Sequence, residues 1–227
     1  MGDIAGNIGR VNERVQAALE RSGRGGEQVT VVAVTKTFPA ATVREVIRAG
    51  IGDIGENRVQ ELIAKSEQVE DPCRWHLVGP LQRNKARRVV GLATLLHAVD
   101  GEEIALALDR IAGEEGVRPA VLLEVNTSGE ASKHGVSREE AVELGYHLAT
   151  LENLDWRGLM TIGPLHAGLP ATRACFRKLA WLAAELRGRL DMRPLELSMG
   201  MSDDFEIAIE EGATIVRLGR VIAGARE

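Results

Sequence analysis

The chain has 227 residues, 44% of them apolar and 27% charged, with a net charge of −5. That balance belongs to a globular protein and excludes a disordered chain, a collagen and a small disulfide scaffold. It also argues against a protein built to coat nucleic acid, and no apolar run approaches the roughly 20 residues that a membrane span needs. The first 28 residues lack the apolar core of a secretory signal. Cys73 and Cys175 have no metal-ligand spacing, and the scattered histidines form no metal cluster, so a cytoplasmic protein with reduced thiols is expected.

In chain order, Ile4, Ile8, Val11, Val15 and Leu19 step by three or four residues and predict an added N-terminal helix within residues 1–28. Apolar runs follow at 29–34, 52–55, 75–78, 94–99, 120–125, 154–162, 195–197 and 213–218. They are rich in branched aliphatics and lack alternation, as parallel strands buried on both faces do. Stretches of helical period lie between them. Val43, Val46 and Ile47 lead into Gly50; Val59, Leu62 and Ile63 form a second stripe; Ile104, Leu106, Leu108 and Ile111 form a third. A basic helix is expected at 83–88, and another holds Ala141, Leu144 and Tyr146. Phe176, Leu179, Leu182 and Leu186 predict the longest, and the last complete helix starts near Asp203 and stops at Gly212. Eight strands alternating with helices, with no Gly-x-Gly-x-x-Gly after the first, predict an α/β protein, a (β/α)8 TIM barrel forming one domain over residues 1–227.

Chemistry in such a barrel sits at the C-terminal ends of the strands. Lys36 closes the first strand in the parity of Val32 and Val34, so all three side chains point the same way. Arg217 lies between Val216 and Leu218 in the last strand, where an isolated guanidinium is costly unless paired, for instance with Glu124. Barrel closure makes these strands neighbours and is expected to bring the two cations side by side at one rim. Their repulsion favours a neutral, nucleophilic amine on Lys36, the form that makes Schiff bases. After the seventh strand, Ser198-Met-Gly-Met-Ser-Asp-Asp204 is a small-residue turn entering a helix, with Asp203 and Glu206 spaced as a capping box. Amides and hydroxyls there, joined by Gly219, suit a phosphate. His76 is expected to be a hydrogen-bonded core histidine, and the basic run 83–88 a solvated face.

A strand-end lysine, an arginine in an apolar strand and a phosphate nest suggest pyridoxal phosphate. The chain resembles the pyridoxal phosphate homeostasis proteins, themselves similar to the barrel domain of alanine racemase. The motifs carrying the resemblance are Ala33-Val-Thr-Lys-Thr37, Gly55-Glu-Asn57, Trp75-His-Leu-Val-Gly-Pro-Leu-Gln82, Asn84-Lys85, Gly158-Leu-Met160, Ser198-Met-Gly-Met-Ser-Asp-Asp204 and Val216-Arg-Leu-Gly219. The resemblance implies that Lys36 carries pyridoxal 5′-phosphate as a Schiff base and that Arg217 faces the pyridine nitrogen. It places Ser198, Gly200, Ser202 and Gly219 around the phosphate, with Asn57 and Met160 near the ring. Two positions depart from the family pattern near the C-terminus. Arg220 stands where a threonine is expected, and either meets the phosphate or turns to solvent; Ala223 replaces an aromatic residue.

The same resemblance implies a protein that buffers or delivers the cofactor, with pyridoxal-phosphate-dependent apo-enzymes as recipients and neither nucleic acid nor membrane as a partner. A monomer is expected. The alternative is a weak racemase, which needs two bases on opposite faces of its substrate. The sole tyrosine, Tyr146, falls in a predicted helix and not at the rim, which leaves His76 or a water as the second base. A complete cofactor site beside an incomplete catalytic set favours the carrier.

Overall fold

A computed structural model of the chain describes residues 3–130, 134–164, 167–190 and 193–224. Eight parallel strands close on themselves: β1 (Thr30–Val34), β2 (Asp53–Glu56), β3 (Arg74–Leu77), β4 (Leu95–Val99), β5 (Ala120–Glu124), β6 (Asp155–Met160), β7 (Glu196–Ser198) and β8 (Ile215–Leu218). They pair in chain order and β8 returns to β1, so the (β/α)8 barrel expected from the sequence is present. Around it run α1 (Ile4–Arg21), α2 (Ala40–Arg48), α3 (Val59–Ser66), α4 (Glu102–Glu115), α5 (Arg138–Leu148), α6 (Leu169–Leu190), α7 (Phe205–Glu210) and α8 (Arg220–Ala223).

The basic run after β3 is a 3-10 turn, Arg83–Arg88, and not the α-helix expected. Like charges crowd its surface, and only Ala86 among its six residues is buried, too small an apolar face to hold an α-helix down. Two of its three arginines turn toward α4 instead: Arg83 pairs with Glu103 at 3.1 Å, and Arg87 with Glu114 and Glu115. In α4 the buried stripe is Ile104, Ala105, Leu108, Ile111 and Ala112, whereas Leu106 faces solvent.

The apolar core has two layers, as strand alternation requires. The larger fills the space between strands and helices. The smaller lies inside the barrel and is built from Val32, Leu95, Ala98, Ala120, Leu122, Met160 and Ile215. Helix α1 is an integral part of the outer layer. It buries Ile4, Ile8, Val11, Val15 and Leu19, each large aliphatic contributing roughly 1.5–3 kcal/mol. Arg14 anchors it to α7, donating from Nε and Nη2 to Glu206 at 3.1 and 2.9 Å, with its guanidinium over the Phe205 ring.

That anchor replaces the capping box expected at Asp203 and Glu206. Helix α7 starts at Phe205, and it is Asp204 that holds the preceding turn, accepting from the Met201 amide at 2.6 Å. Glu206 is engaged by Arg14, and Asp203 pairs with Arg220. Arginine partners from elsewhere in the fold outcompete the local cap.

Candidate functional site

Lys36 sits in the turn that leaves β1, and both flanking threonines are tied down. The Thr35 hydroxyl donates to Glu56 Oε1 at 2.6 Å, and Lys65 Nζ donates to the Thr35 carbonyl at 2.8 Å and to the same Glu56 oxygen at 2.6 Å. The Thr37 amide donates to Glu61 Oε2 at 2.9 Å. Thr37 has φ of 70°, which a β-branched side chain rarely adopts. The turn presenting Lys36 is thus held from outside the barrel on both sides, at Thr35 by the buried Glu56–Lys65 pair and at Thr37 by Glu61. Burial raises the Glu56 carboxyl above its ordinary range, against the lowering effect of Lys65 and Thr35, and its Oε2 has no hydrogen-bond partner among the described residues.

Lys36 lines a cavity of about 440 Å³ at the C-terminal end of the barrel, a size usual for small-molecule sites. Val34, Phe38, Val78 and Ile162 give it apolar walls, while Asn57, Ser202, Asp203, Arg217 and Arg220 bring polar groups and Gly219 brings backbone. Among the described residues that line it, three cations accompany one carboxylate, and that carboxylate, Asp203, is paired with Arg220. The balance favours an anionic ligand. Among the described residues, no protein acceptor is found for the amides of Ser202, Asp203 and Arg220, which leaves donors at the cavity wall.

Arg217 stands deeper than Lys36. The β1–β8 register sets Val32 opposite Arg217, so the lysine lies four positions further toward the rim and the expected side-by-side placement is not found. Adjacent strands bring the two residues to one cavity, but at different depths. Nor is the guanidinium paired with Glu124: Nη1 donates to the Ser198 carbonyl at 2.7 Å and hydroxyl at 2.6 Å, and Nη2 to the Thr161 carbonyl at 2.8 Å. Neutral oxygens therefore solvate a buried cation. Burial lowers its pKa to about 10, with Glu124 and Asp204 acting the other way at longer range. Its Nε–H has no acceptor among the described residues.

The remaining expected residues divide by depth. Asn57, Ser202 and Gly219 line the cavity with Lys36 and Arg217. Asn57 owes its place to Gly79, because a Cβ there would come within 2.3 Å of the Asn57 carbonyl and 2.8 Å of its side chain. Met160 is buried beneath, packed in the inner cluster against Val78 and Ile162. Gly200, at φ 93°, lets the 198–204 turn lie on α7, where a Cβ would meet that of Ala208 at 2.5 Å. Ser198 differs from expectation. It is the last residue of β7 and wholly buried, with its hydroxyl between Arg217 and His97, so it supports the cavity floor and does not line the cavity. The apolar run stops at Leu197, one residue before β7 does, and so gives no sign that Ser198 belongs to the strand.

Below Arg217 a line of polar side chains crosses the barrel interior. Ser198 Oγ lies 2.8 Å from His97 Nδ1, His97 Nε2 lies 3.0 Å from His76 Nδ1, and His76 Nε2 lies 2.9 Å from Asp53 Oδ1. Arg74 closes the line at the far face, donating to Asp53 Oδ1 at 2.7 Å. His76 is the hydrogen-bonded core histidine expected of it. His97 and Asp53 were legible only as inward positions, sharing strand parity with Leu95 and Gly55.

The family described as "Alanine racemase, N-terminal domain" matches residues 7–227. The Aquifex aeolicus protein named "Pyridoxal phosphate homeostasis protein" is 41% identical over 97% of this chain and 97% of its own. The Pseudomonas aeruginosa protein of the same name is 44% identical over 100% of this chain and 97% of its own. PipY of Synechococcus elongatus PCC7942, solved without PLP and with PLP bound, superposes with TM-scores of 0.89 and 0.86 at 38% identity, covering 98% of this chain and 100% of that one. Similarity of this extent over whole chains, on a closed barrel with lysine and arginine in one cavity, shows that the chain belongs to the alanine racemase N-terminal domain family, among the relatives named pyridoxal phosphate homeostasis proteins.

Proposed function

We propose that this protein binds pyridoxal 5′-phosphate reversibly in the cavity at the C-terminal end of its barrel and keeps or delivers it without turning over a substrate. The observation carrying this reading is that Lys36 and Arg217, from adjacent strands, line one net-cationic cavity at different depths. Such a pair matches a ligand with its aldehyde and its ring nitrogen at opposite ends of a ring. Lys36 supplies the amine for the aldehyde, and Arg217 supplies the donor for the ring nitrogen. Ser202, Gly219 and the amides of Ser202, Asp203 and Arg220 supply the phosphate donors, with Asn57 beside the ring and Met160 beneath it. Ser198 and Gly200 act one step back, through Arg217 and through the turn. When bound, the cofactor contributes an electrophilic aldehyde and an electron-withdrawing ring. A buried cation at the ring nitrogen disfavours its protonation and weakens the ring as an electron sink.

The same cavity speaks against racemisation. Tyr146 is on α5 and 41% exposed, and His76 is buried with both ring nitrogens occupied; neither lines the cavity with Lys36. Incubation with pyridoxal phosphate and L-alanine in heavy water tests this. Deuterium uptake at the α-carbon is expected to match that of free cofactor. Uptake well above it, lost in Lys36→Ala, would make the protein an enzyme.

A further inference from the structure

We infer that Asp53, His76, His97 and Ser198 are positioning residues for Arg217: they form a one-way hydrogen-bond chain through the barrel that fixes the guanidinium and thereby the donor it offers to the ring of the ligand. The inference rests on the pyridoxal phosphate reading of the cavity, but the chain itself is a property of the protein alone. Its direction follows from its two ends. An arginine can only donate, and an ionised carboxylate can only accept. Burial pushes the Asp53 carboxyl up, but hydrogen bonds from His76 and Arg74 outweigh it and bring the pKa down to about 2, so this end is ionised.

The intervening protons are then determined. With one proton on each ring, the carboxylate end sets the order: His76 donates to Asp53 and accepts from His97, which leaves a lone pair on His97 Nδ1 to take the serine proton while the serine oxygen accepts from Arg217 Nη1. His97 must carry its proton on Nε2 and donate to His76 Nδ1, and His76 must carry its own on Nε2 and donate to Asp53. A proton on the other nitrogen of either ring would set two donors or two lone pairs face to face. With His97 and Ser198 both wholly buried, water cannot repair such a mismatch. Without an acceptor at His97 Nδ1, the serine hydroxyl has no partner for its proton and nothing fixes the direction of the lone pair it offers to the guanidinium. One of the three oxygen ties on Arg217 is thereby loosened, and the donors it offers the cavity are set less firmly. Four side chains from β2, β3, β4 and β7 are thus committed to the setting of one on β8.

The test compares His97→Leu, which deletes the chain, with His97→Gln, whose amide offers one donor and one acceptor across the same gap; Ser198→Ala breaks the chain with minimal change in volume. Each is titrated with pyridoxal 5′-phosphate, reading affinity, the absorption maximum of the bound ligand and, after borohydride, the adduct mass on Lys36. The expected result is a Lys36 adduct in every protein, with His97→Leu and Ser198→Ala shifting the absorption maximum and binding roughly tenfold more weakly, while His97→Gln stays near the wild type. Wild-type spectrum and affinity in His97→Leu or Ser198→Ala, with the adduct present, would overturn the inference. Histidine nitrogen NMR on the ligand-free wild type decides the chain even if variants do not fold: both imidazoles are expected as Nε2–H tautomers, and an Nδ1–H tautomer at His76 or His97 would overturn it. Absence of a Lys36 adduct in the wild type would instead remove the pyridoxal phosphate reading and leave the chain to be judged by NMR alone.

Discussion

His97 shows how one buried side chain couples the site to pH. Burial first, then its neighbours His76 and Arg217, hold its pKa well below the ordinary 6.5. The unfolded chain takes up a proton near pH 6.5 that the folded chain refuses, so this contribution to stability is complete above that pH and is lost as pH falls below it. The wild type should therefore lose stability between pH 7 and 5. Urea unfolding at pH 7 and 5 should show a smaller acid loss in His97→Gln than in the wild type, and equal losses would refute the assignment. Asp53 acts in the same direction at lower pH, stabilising above its unfolded value of 3.8 and losing that effect as pH falls toward 2. At this scale Lys36, Arg217 and His76 were legible because each is a polar residue in or ending an apolar strand. What Ser198 touches was not, because that depends on which side chains meet across the barrel axis.

At the scale of elements, the turn after β1 and the glycine after β3 set the shape of the cavity. Lys65→Met would leave Glu56, fully buried, without its cationic partner and is expected to cost about 3–5 kcal/mol by urea denaturation. The double variant Glu56→Leu, Lys65→Met should recover most of this loss, and a double variant as unstable as the single one would contradict the ion-pair account. Gly79→Ala should displace Asn57 and weaken pyridoxal phosphate binding with little change in secondary structure by circular dichroism; unchanged affinity would mean that Asn57 does not hold the ligand. The strand–helix period was legible here because branched aliphatic runs and 3.6-residue stripes mark it directly. The start of α7 was not. Asp203 and Glu206 have the spacing of a cap, yet Arg220 and Arg14, distant in sequence, take both carboxylates.

Over the whole molecule, closure of β8 on β1 is what turns two cations far apart in the chain into one site. Barrel closure was legible from the count of strand–helix units, whereas the register, and with it the depth of Arg217 below Lys36, is fixed only by how the strands pack. Binding of the proposed ligand to the folded state alone predicts a melting temperature that climbs steadily with pyridoxal phosphate, the stabilisation reaching about 2.7 kcal/mol at a hundredfold excess over Kd. A melting temperature indifferent to the cofactor would contradict native-state binding. The central claim is that Lys36 holds the cofactor, and intact mass after borohydride reduction with pyridoxal phosphate tests it most directly, with Lys36→Ala alongside. The account predicts one reduced-cofactor adduct on the wild type and none on the variant. No adduct, or equal labelling of both proteins, would contradict it.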